Sequence, residues 1–367
     1  MVRARHRRSP TISDARRDHL ASLPSSDERG GSVSPSDRPA SVVLCAYTLE
    51  RWDDLCGAVE AAHAQLLADD DLILVVDHND ELLARSRERW AGADRTAIVP
   101  NDRARGLSGA RNTAIGATSG EILVFLDDDA TLTAGSLARL RAPFAEPEVV
   151  AVGGAPVPRW VGGRRPGWFP AELDWTIGCA YTGMPTTRED VRNPIGAIMA
   201  IRREVFDGVG LFLEGVGRVG TVPLGCEETE LAIRAWQAQP QARVVYEPGA
   251  TVLHTVTEGR ATARYLLRRG YAEGLSKAAI SRHVGAGDAL ASETSYVTST
   301  LPRGVARELG RTVRGDVHGL GAASAIVGVL VATGAGYVRG RVTGVRVPAA
   351  PEVSPSRPPQ PTAGNAP

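Results

Sequence analysis

Nothing in this chain constrains its fold more than Glu121-Ile-Leu-Val-Phe-Leu-Asp127-Asp128-Asp129-Ala130, an apolar run that stops at three consecutive carboxylates. The stretch from Ile122 to Leu126 has the length and apolarity of a strand buried on both faces, which is what a parallel sheet covered by helices requires. An open sheet of that kind takes its ligand at the carboxyl ends of its strands, where these acids fall. Three adjacent carboxylates repel one another unless a cation sits among them. Hard oxygen ligands at a strand tip suit Mg²⁺ or Mn²⁺ carrying a substrate's phosphates. A bare Asp-Asp-Asp is also compatible with a solvated acidic turn, so the reading depends on what surrounds it.

What surrounds it is an alternation of strands and helices. Ser41 to Ala46 reads as a first buried strand and Leu49 to Leu67 as an amphipathic helix. Asp71 to Val76 is a second strand ending in Asp77-His78-Asn79-Asp80, followed by a helix from about Glu81 to Trp90 and a short strand from Thr96 to Pro100. That order predicts an α/β fold, a mostly parallel sheet flanked by helices. A polar loop, Asn101 to Gly109, and a helix from Ala110 to Thr118 lead into the organising strand, so Asp77 and Asp127 are expected to face one crevice.

After the acids, Thr133 to Phe144 reads as helix and Val149 to Gly153 as strand; Ala155 to Arg192 is irregular and aromatic, with Trp160, Trp168, Phe169, Trp175 and Tyr181. A platform on which a sugar ring stacks and plain core packing are both open readings of these rings. Ile195 to Ile201 is a strand, Arg203 to Gly208 a short helix, and Gly210 to Gly225 a glycine-rich loop suited to a lid. Cys226-Glu227-Glu228-Thr229-Glu230-Leu231 opens a helix, a place where the helix dipole by itself favours acids. Val244 to Glu247 and Ala250 to His254 are extended pieces, and Arg260 to His283 is a basic helical stretch with Arg264, Arg268, Arg269 and Lys277.

The ends differ in character. Met1 to Ala40 is rich in Arg, Ser, Asp, Pro and Gly without apolar periodicity and is expected to be a disordered tail; no apolar core follows its early arginines, so secretion is not indicated. Arg303, Arg307, Arg311 and Arg314 recur at helical spacing ahead of Gly319 to Val338, an uncharged stretch of roughly 20 residues, long enough to span a bilayer at ~1.5 Å per residue. Glycine and alanine dilute it, and Arg339 and Arg341 beyond it leave no charge asymmetry to orient a span. Residues 285–346 therefore read as a helical extension, either membrane-associated or packed as a soluble helix, and 347–367 as a second tail. The formal net charge of +0 gives no support to nucleic-acid binding. Cys45, Cys56, Cys179 and Cys226 include no Cys-x-x-Cys pair, so neither a zinc site nor a disulfide framework is indicated and a reducing cytoplasm is expected. Lys277 is the only lysine.

In order and spacing these motifs resemble the family-2 inverting glycosyltransferases, which have the GT-A fold, over roughly Ser41 to His283. The resemblance implies a catalytic domain at 41–284. Its nucleotide-binding turn would be Cys45-Ala46-Tyr47-Thr48 with Arg51 nearby, and Asp77 and Asn79 would read the base. Gly106 to Asn112, with Gly109 and Arg111, would lie against the diphosphate. The Asp-x-Asp motif maps to Asp127 and Asp129. Asp127 and Asp128 would then meet the substrate, while Asp129 and His254 would hold Mg²⁺ or Mn²⁺. The base motif of the family, Glu-Asp-x-Glu-Leu, is here Glu227-Glu228-Thr229-Glu230-Leu231, and either Glu228 or Glu227 takes the proton. Trp175, Asn193 and Arg269 complete the candidate substrate contacts. The implied partners are a nucleotide-sugar donor (UDP- or similar), a lipid-linked or saccharide acceptor and a membrane surface, with no nucleic acid. The implied location is the cytoplasmic face of the cell membrane or the cytoplasm.

The chemistry asks for these parts. The departing diphosphate needs counter-charge, which a cation and a guanidinium such as Arg111 supply. The acceptor hydroxyl needs a carboxylate to take its proton. One carboxylate acting once implies inversion, whereas retention by double displacement needs a second as nucleophile. Two rivals fit less of the chain. A haloacid-dehalogenase-type phosphatase shares Asp127-Asp128-Asp129-Ala130-Thr131 but has that motif on its first strand, and three strands precede it here. A nucleotide-sugar pyrophosphorylase carries a glycine-rich, lysine-bearing loop after its first strand, and Cys45 to Arg51 contains no glycine.

Overall fold

The computed structural model describes residues 38–214, 225–283 and 293–343; nearly all of the tails expected at 1–40 and 347–367, and most of the glycine-rich stretch from Gly210 to Gly225, lie outside these residues. Four apolar runs build the first half of the sheet: Ala40–Ala46 (β1), Asp71–Val76 (β2), Thr96–Pro100 (β3) and Ile122–Asp127 (β4). Successive side chains of a strand point to opposite faces, so runs apolar throughout need helical cover on both sides. One face, with Val42, Leu44, Leu74 and Val124, packs on Leu55 and Val59 of Trp52–His63 (α1). The other, with Val43, Ile73, Val75 and Phe125, packs on Ala110 and Ala114; these belong to Leu107–Ala117 (α3), which follows Asp80–Arg89 (α2). β1 is parallel to β2 and to β4, and β2 to β3, so the tips carrying Asp77 and Asp127 lie on the same edge.

Past β4 the sheet is mixed. Ala130–Leu132 (β5) follows the acids; then come Val149–Trp160 (β6), Glu189–Asp190 (β7), Ile198–Arg202 (β8) and Arg243–Val256 (β9), giving the order β3-β2-β1-β4-β8-β6-β9-β5 with β7 on β9. β8 is antiparallel to β4 and β6, and β9 is parallel to β6. The helix expected from Thr133 starts only at Ser136–Arg141 (α4), because Ala130, Thr131 and Leu132 pair instead with His254, Leu253 and Val252. A three-residue strand carries no periodic signal of its own. The two extended pieces expected between Val244 and His254 are one bent strand, whose register against β6 shifts between Gly153 and Ala155. A Cβ at Gly154 would overlap the Ala250 carbonyl oxygen, so only glycine permits that approach.

Arg203–Val209 (α5) and Glu227–Ala238 (α6) flank the sheet, and Ala263–His283 (α7), Leu301–Val313 (α8) and His318–Thr343 (α9) complete the chain. α7 and α9 cross at backbone contact. A Cβ at Gly274 would overlap the Thr333 carbonyl oxygen, one at Gly336 the Tyr271 oxygen, and one at Gly340 would meet the Ala278 Cβ at 2.7 Å. Gly270 and Gly274 on α7, and Gly336 and Gly340 on α9, have the four-residue spacing that lets helices approach this closely. The aromatic stretch shares a core with these helices: Phe169, Leu173 and Ile177 pack with Leu266, Leu301, Ile326 and Val329. Trp160 and Trp168 sit against Phe169 with ring centroids 5.1 and 5.8 Å away, so these rings are core and not a sugar platform. Trp175 alone among the tryptophans of this stretch reaches the cleft described next.

Candidate active site

The tips of β1, β2 and β4 open into a cavity of about 190 Å³ bordered by Ala46, Tyr47, Asp77, Arg111, Asp127, Asp128, Trp175, Glu227, Glu228, His254 and Arg269. The residues expected to meet at one crevice thus largely do. Asp127, Asp129 and His254 present ligand atoms within 4.8 Å of one another. β4 delivers the aspartates, and the antiparallel pairing of Ala130 with His254 brings the histidine across. His254 Nε2 lies 3.1 Å from Asp129 Oδ1 and 3.8 Å from Asp127 Oδ2. Two carboxylates and an imidazole suit Mg²⁺ or Mn²⁺, and the buried Asp128 Oδ2, which has no hydrogen-bond partner among the described residues, points to a missing electrophile nearby. The donor set therefore fits such an ion.

Two guanidinium groups hold the same acids. Arg51 and Arg260 each lie 3.2 Å from Asp129 Oδ2; Arg51 also pairs with Asp128 and donates to the Tyr47 hydroxyl at 2.8 Å. Burial opposes ionisation of Asp129, but His254, Arg260 and Arg51 outweigh it and hold its carboxyl well below the usual range. Burial likewise opposes charge on His254, and Asp129 and Asp127 reverse that, raising its pKa well above the ordinary value. Asp128 is less well compensated: burial, with Asp129 and Asp127 beside it, pushes it up to about 7 against the pull of Arg51.

Across the cleft, α6 starts at Cys226, whose φ of 76° is unusual for a residue other than glycine. That turn aims the first helical residues at the cavity. Arg111, buried under Phe125 and Phe212, donates to Glu227 Oε1 at 3.1 Å and to the Gly196 carbonyl at 3.0 Å. Glu228 is pushed up to about 8, first by burial and then by the charge of Glu227. A second cavity, of about 460 Å³, adjoins the first, and the two share Trp175, Gly178, Ile195, Glu228 and Arg269 as a common wall.

Several expected contacts lie elsewhere. Asn79 does not border the cleft: its side chain caps α2 by accepting from Leu82 N at 3.0 Å and donates to the Tyr47 carbonyl at 3.1 Å. Gly109 does not border it either; a Cβ there would overlap the Ala104 carbonyl oxygen, so the glycine lets the Asn101–Gly106 loop fold onto α3. Asp77 borders the cleft and also anchors that loop, accepting from Asn101 Nδ2 at 2.7 Å and from Gly106 N at 2.9 Å. Asn193 lines the second cavity and not the first. Conversely, Arg260 and Tyr265 reach the cleft unforeseen. Arg260 sits in the helical turn Glu258–Ala261, and nothing local marks it off from the chain's many other arginines.

Comparison with known proteins follows the same lines. The sequence matches the family described as Glycosyl transferase family 2 over residues 41–210. The glucosyl-dolichyl phosphate glucuronosyltransferase of Haloferax volcanii is 34% identical over 238 residues, covering 65% of this chain and 75% of that relative. Among solved structures, the mannosyltransferase PcManGT from Pyrobaculum calidifontis, in complex with GDP-Man and Mn²⁺, superposes with a TM-score of 0.52 at 18% identity, over 88% of this chain and 93% of that one. GalNAc-T7 with UDP, GalNAc and Mn²⁺ gives a TM-score of 0.50 at 17% identity, over 72% of this chain and 58% of that one, little more than half its length. At these identities the structural likeness concerns the fold, which is the GT-A fold that the motifs implied.

Proposed function

The chain belongs to the family 2 glycosyltransferases, and from that premise we propose that it transfers a sugar with inversion from a nucleoside-diphosphate donor to a hydroxyl of a lipid-linked acceptor, with Glu228 as the base. The observation that carries this reading is the placement of Glu228 on the wall between two cavities, one of which also holds the Asp127, Asp129 and His254 cluster. A donor in the first cavity and an acceptor in the second would meet at this carboxylate. Mg²⁺ or Mn²⁺ held by Asp129 and His254 would supply counter-charge for the departing diphosphate. Ala46, Tyr47 and Asp77 line the end of the cleft where a nucleoside would lie, while Arg51, Arg111 and Arg260 surround the acids with positive charge that favours an anionic leaving group.

Glu228, rather than Glu227, is assigned the proton for two reasons. Glu227 Oε1 is engaged by Arg111, and Glu228 alone of the two borders both cavities. Its raised proton affinity suits a group that must accept a proton from an alcohol. With Glu227 committed to Arg111, no second carboxylate is left to act as a nucleophile, which favours inversion.

The acceptor reading draws on the Haloferax relative, whose name specifies a glucosyl-dolichyl phosphate, and on the C-terminal helices. The most apolar window of α9 is only 33% buried, and Val331, Val338 and Val342 are 65%, 62% and 80% exposed. α9 is nevertheless docked along α7, from Gly328 against Leu267 to Gly340 against Ala278. Were α9 to cross a bilayer, α7 would accompany it with Arg264, Arg268, Arg269, Glu273 and Lys277, at about 2.5–3.5 kcal/mol for each charge near the centre. The helix pair therefore lies in the membrane interface, apolar face down, with the 41–284 catalytic domain on the cytosolic side. The expected arginine stripe contributes less than its spacing implied: Arg307 is paired with Glu172 and Glu308, and Arg311 with Glu308 and Asp316. The test is a panel of nucleotide sugars with Mn²⁺, scored for release of nucleoside diphosphate by wild type, Asp129→Ala and Glu228→Gln. Metal-dependent release abolished by Asp129→Ala, and acceptor transfer abolished by Glu228→Gln, are expected; release from no donor would refute the reading.

A further inference from the structure

The second cavity has a composition that its neighbour lacks. Its inner end is Trp175, Ile195 and Glu228; its outer end is Val329, Leu330 and Thr333 of α9. Between them runs one face of α7, carrying Arg269, Glu273 and Lys277 one helical turn apart. Eight residues of helix extend the row about 12 Å from the shared wall. Lys277 is the only lysine in the chain, so a cavity bordered by it is chemically unlike any other place in the molecule.

Arg269 lies 2.9 Å from Glu273 and Lys277 lies 3.4 Å from it, so two cations share one carboxylate. Glu273 is held down to about 2, because Arg269 and Lys277 outweigh its burial, so the row keeps a net positive charge at any working pH. Arg192 adds a further cation to the lining, and the one other acid beside Glu228, Asp190, is paired with Arg243 at 2.9 Å. A partly apolar cavity with an uncompensated positive charge wants an anion, preferably one attached to something apolar. The outer end meets the exposed face of α9, where Leu330 is 40% and Val331 65% exposed, so a hydrocarbon leaving the cavity would run onto an apolar strip without crossing a polar rim.

Resting on the reading of Glu228 as base, we propose that the second cavity seats the acceptor as a phosphate ester of a long-chain alcohol: its hydroxyl at Glu228, its phosphate at the Arg269 and Lys277 pair, and its chain along Val329 and Leu330. Arg269, common to both cavities, would sense the acceptor phosphate and the donor side together. Glu273 is then a positioning residue that holds the two cations apart at helical spacing.

The lone lysine makes a direct test. The full chain in detergent is treated with an amine-selective methylating reagent, and labelling of Lys277 is read by peptide mass spectrometry against the N-terminal amine. The Lys277 side chain is 17% exposed, enough for the reagent to reach it. Geranyl phosphate is expected to reduce Lys277 labelling at least fivefold. Geraniol or inorganic phosphate at the same concentration should leave it unchanged. No protection by geranyl phosphate, or equal protection by inorganic phosphate, overturns the proposal; the second result would make the row a simple anion site. Lys277→Gln and Leu330→Asp should each raise the acceptor KM at least tenfold, and an unchanged acceptor KM in both also overturns it. Calorimetry of nucleoside diphosphate binding to wild type keeps the two readings apart, since failure there strikes the donor cleft and leaves the labelling result to decide the acceptor cavity.

Discussion

Replacing Glu227 by Gln should move the acid limb of the pH profile to lower pH without abolishing transfer. Glu228 is pushed up to about 8, with burial the largest cause and the charge of Glu227 the next. A base must be ionised to act, so kcat/KM in wild type should climb through pH 8 and fall about tenfold for each pH unit below it. Like charges about 6 Å apart at an effective dielectric of about 20 repel by about 3 kcal/mol. Removing that repulsion favours ionised Glu228, and Arg111, released from Glu227, adds in the same direction. Partial solvent access reduces the effect, so a displacement of at least about one pH unit is expected, corresponding to about 1.4 kcal/mol. Measured as acceptor transfer from pH 5.5 to 9.5 at saturating Mn²⁺, the variant should retain roughly ten times more of its own maximal kcat/KM at pH 6 than wild type does. A limb that stays in place or moves upward refutes the electrostatic argument. Complete loss of transfer at every pH would make Glu227 the base.

Other expectations can be checked independently. Glu228→Gln should lower transfer by about 10²–10⁴ while leaving nucleoside-diphosphate affinity by calorimetry within about threefold of wild type. Mn²⁺ with a nucleoside diphosphate at 100 times its Kd should stabilise wild type by about 2.7 kcal/mol in thermal unfolding, and His254→Ala should forfeit most of that gain. Gly109→Ala should destabilise by about 1–3 kcal/mol in the absence of any ligand, because its Cβ would overlap the Ala104 carbonyl oxygen; a loss confined to nucleotide binding would restore the phosphate-contact role. A Val331→Asp, Val338→Asp double variant should shift the protein from sedimenting with anionic vesicles to the supernatant while keeping its melting temperature, since both side chains are more than half exposed.

Much of the catalytic half was legible in the chain because its signals are local. Apolar runs ending in polar residues define β1, β2 and β4, and the strand ends place Asp77 and Asp127 on one edge with no tertiary information needed. Acids opening a helix likewise announce Glu227 and Glu228. The base itself was not readable. Two neighbours on a helix point about 100° apart, and which of them faces the cavity depends on how α6 docks against Arg111 and on the αL turn at Cys226. Asn79 and Gly109 misled for the opposite reason, since a cap and a close backbone approach call for the same small or polar residues as a ligand contact does.

What only the tertiary structure decided are pairings between distant segments. The three-residue β5 has no periodicity, yet its register against β9 sets His254 beside Asp129. Arg260 reaches Asp129 only because β9 turns back over the cleft, and Glu172 takes Arg307 away from the outer face of α8. The glycines of α7 and α9, scattered in the sequence and diluting its apolar stretch, become the points where two backbones touch and close the second cavity. A residue's own neighbours along the chain limit its conformation, whereas its partners across the fold follow from packing surfaces that exist only once the sheet and its helices are assembled.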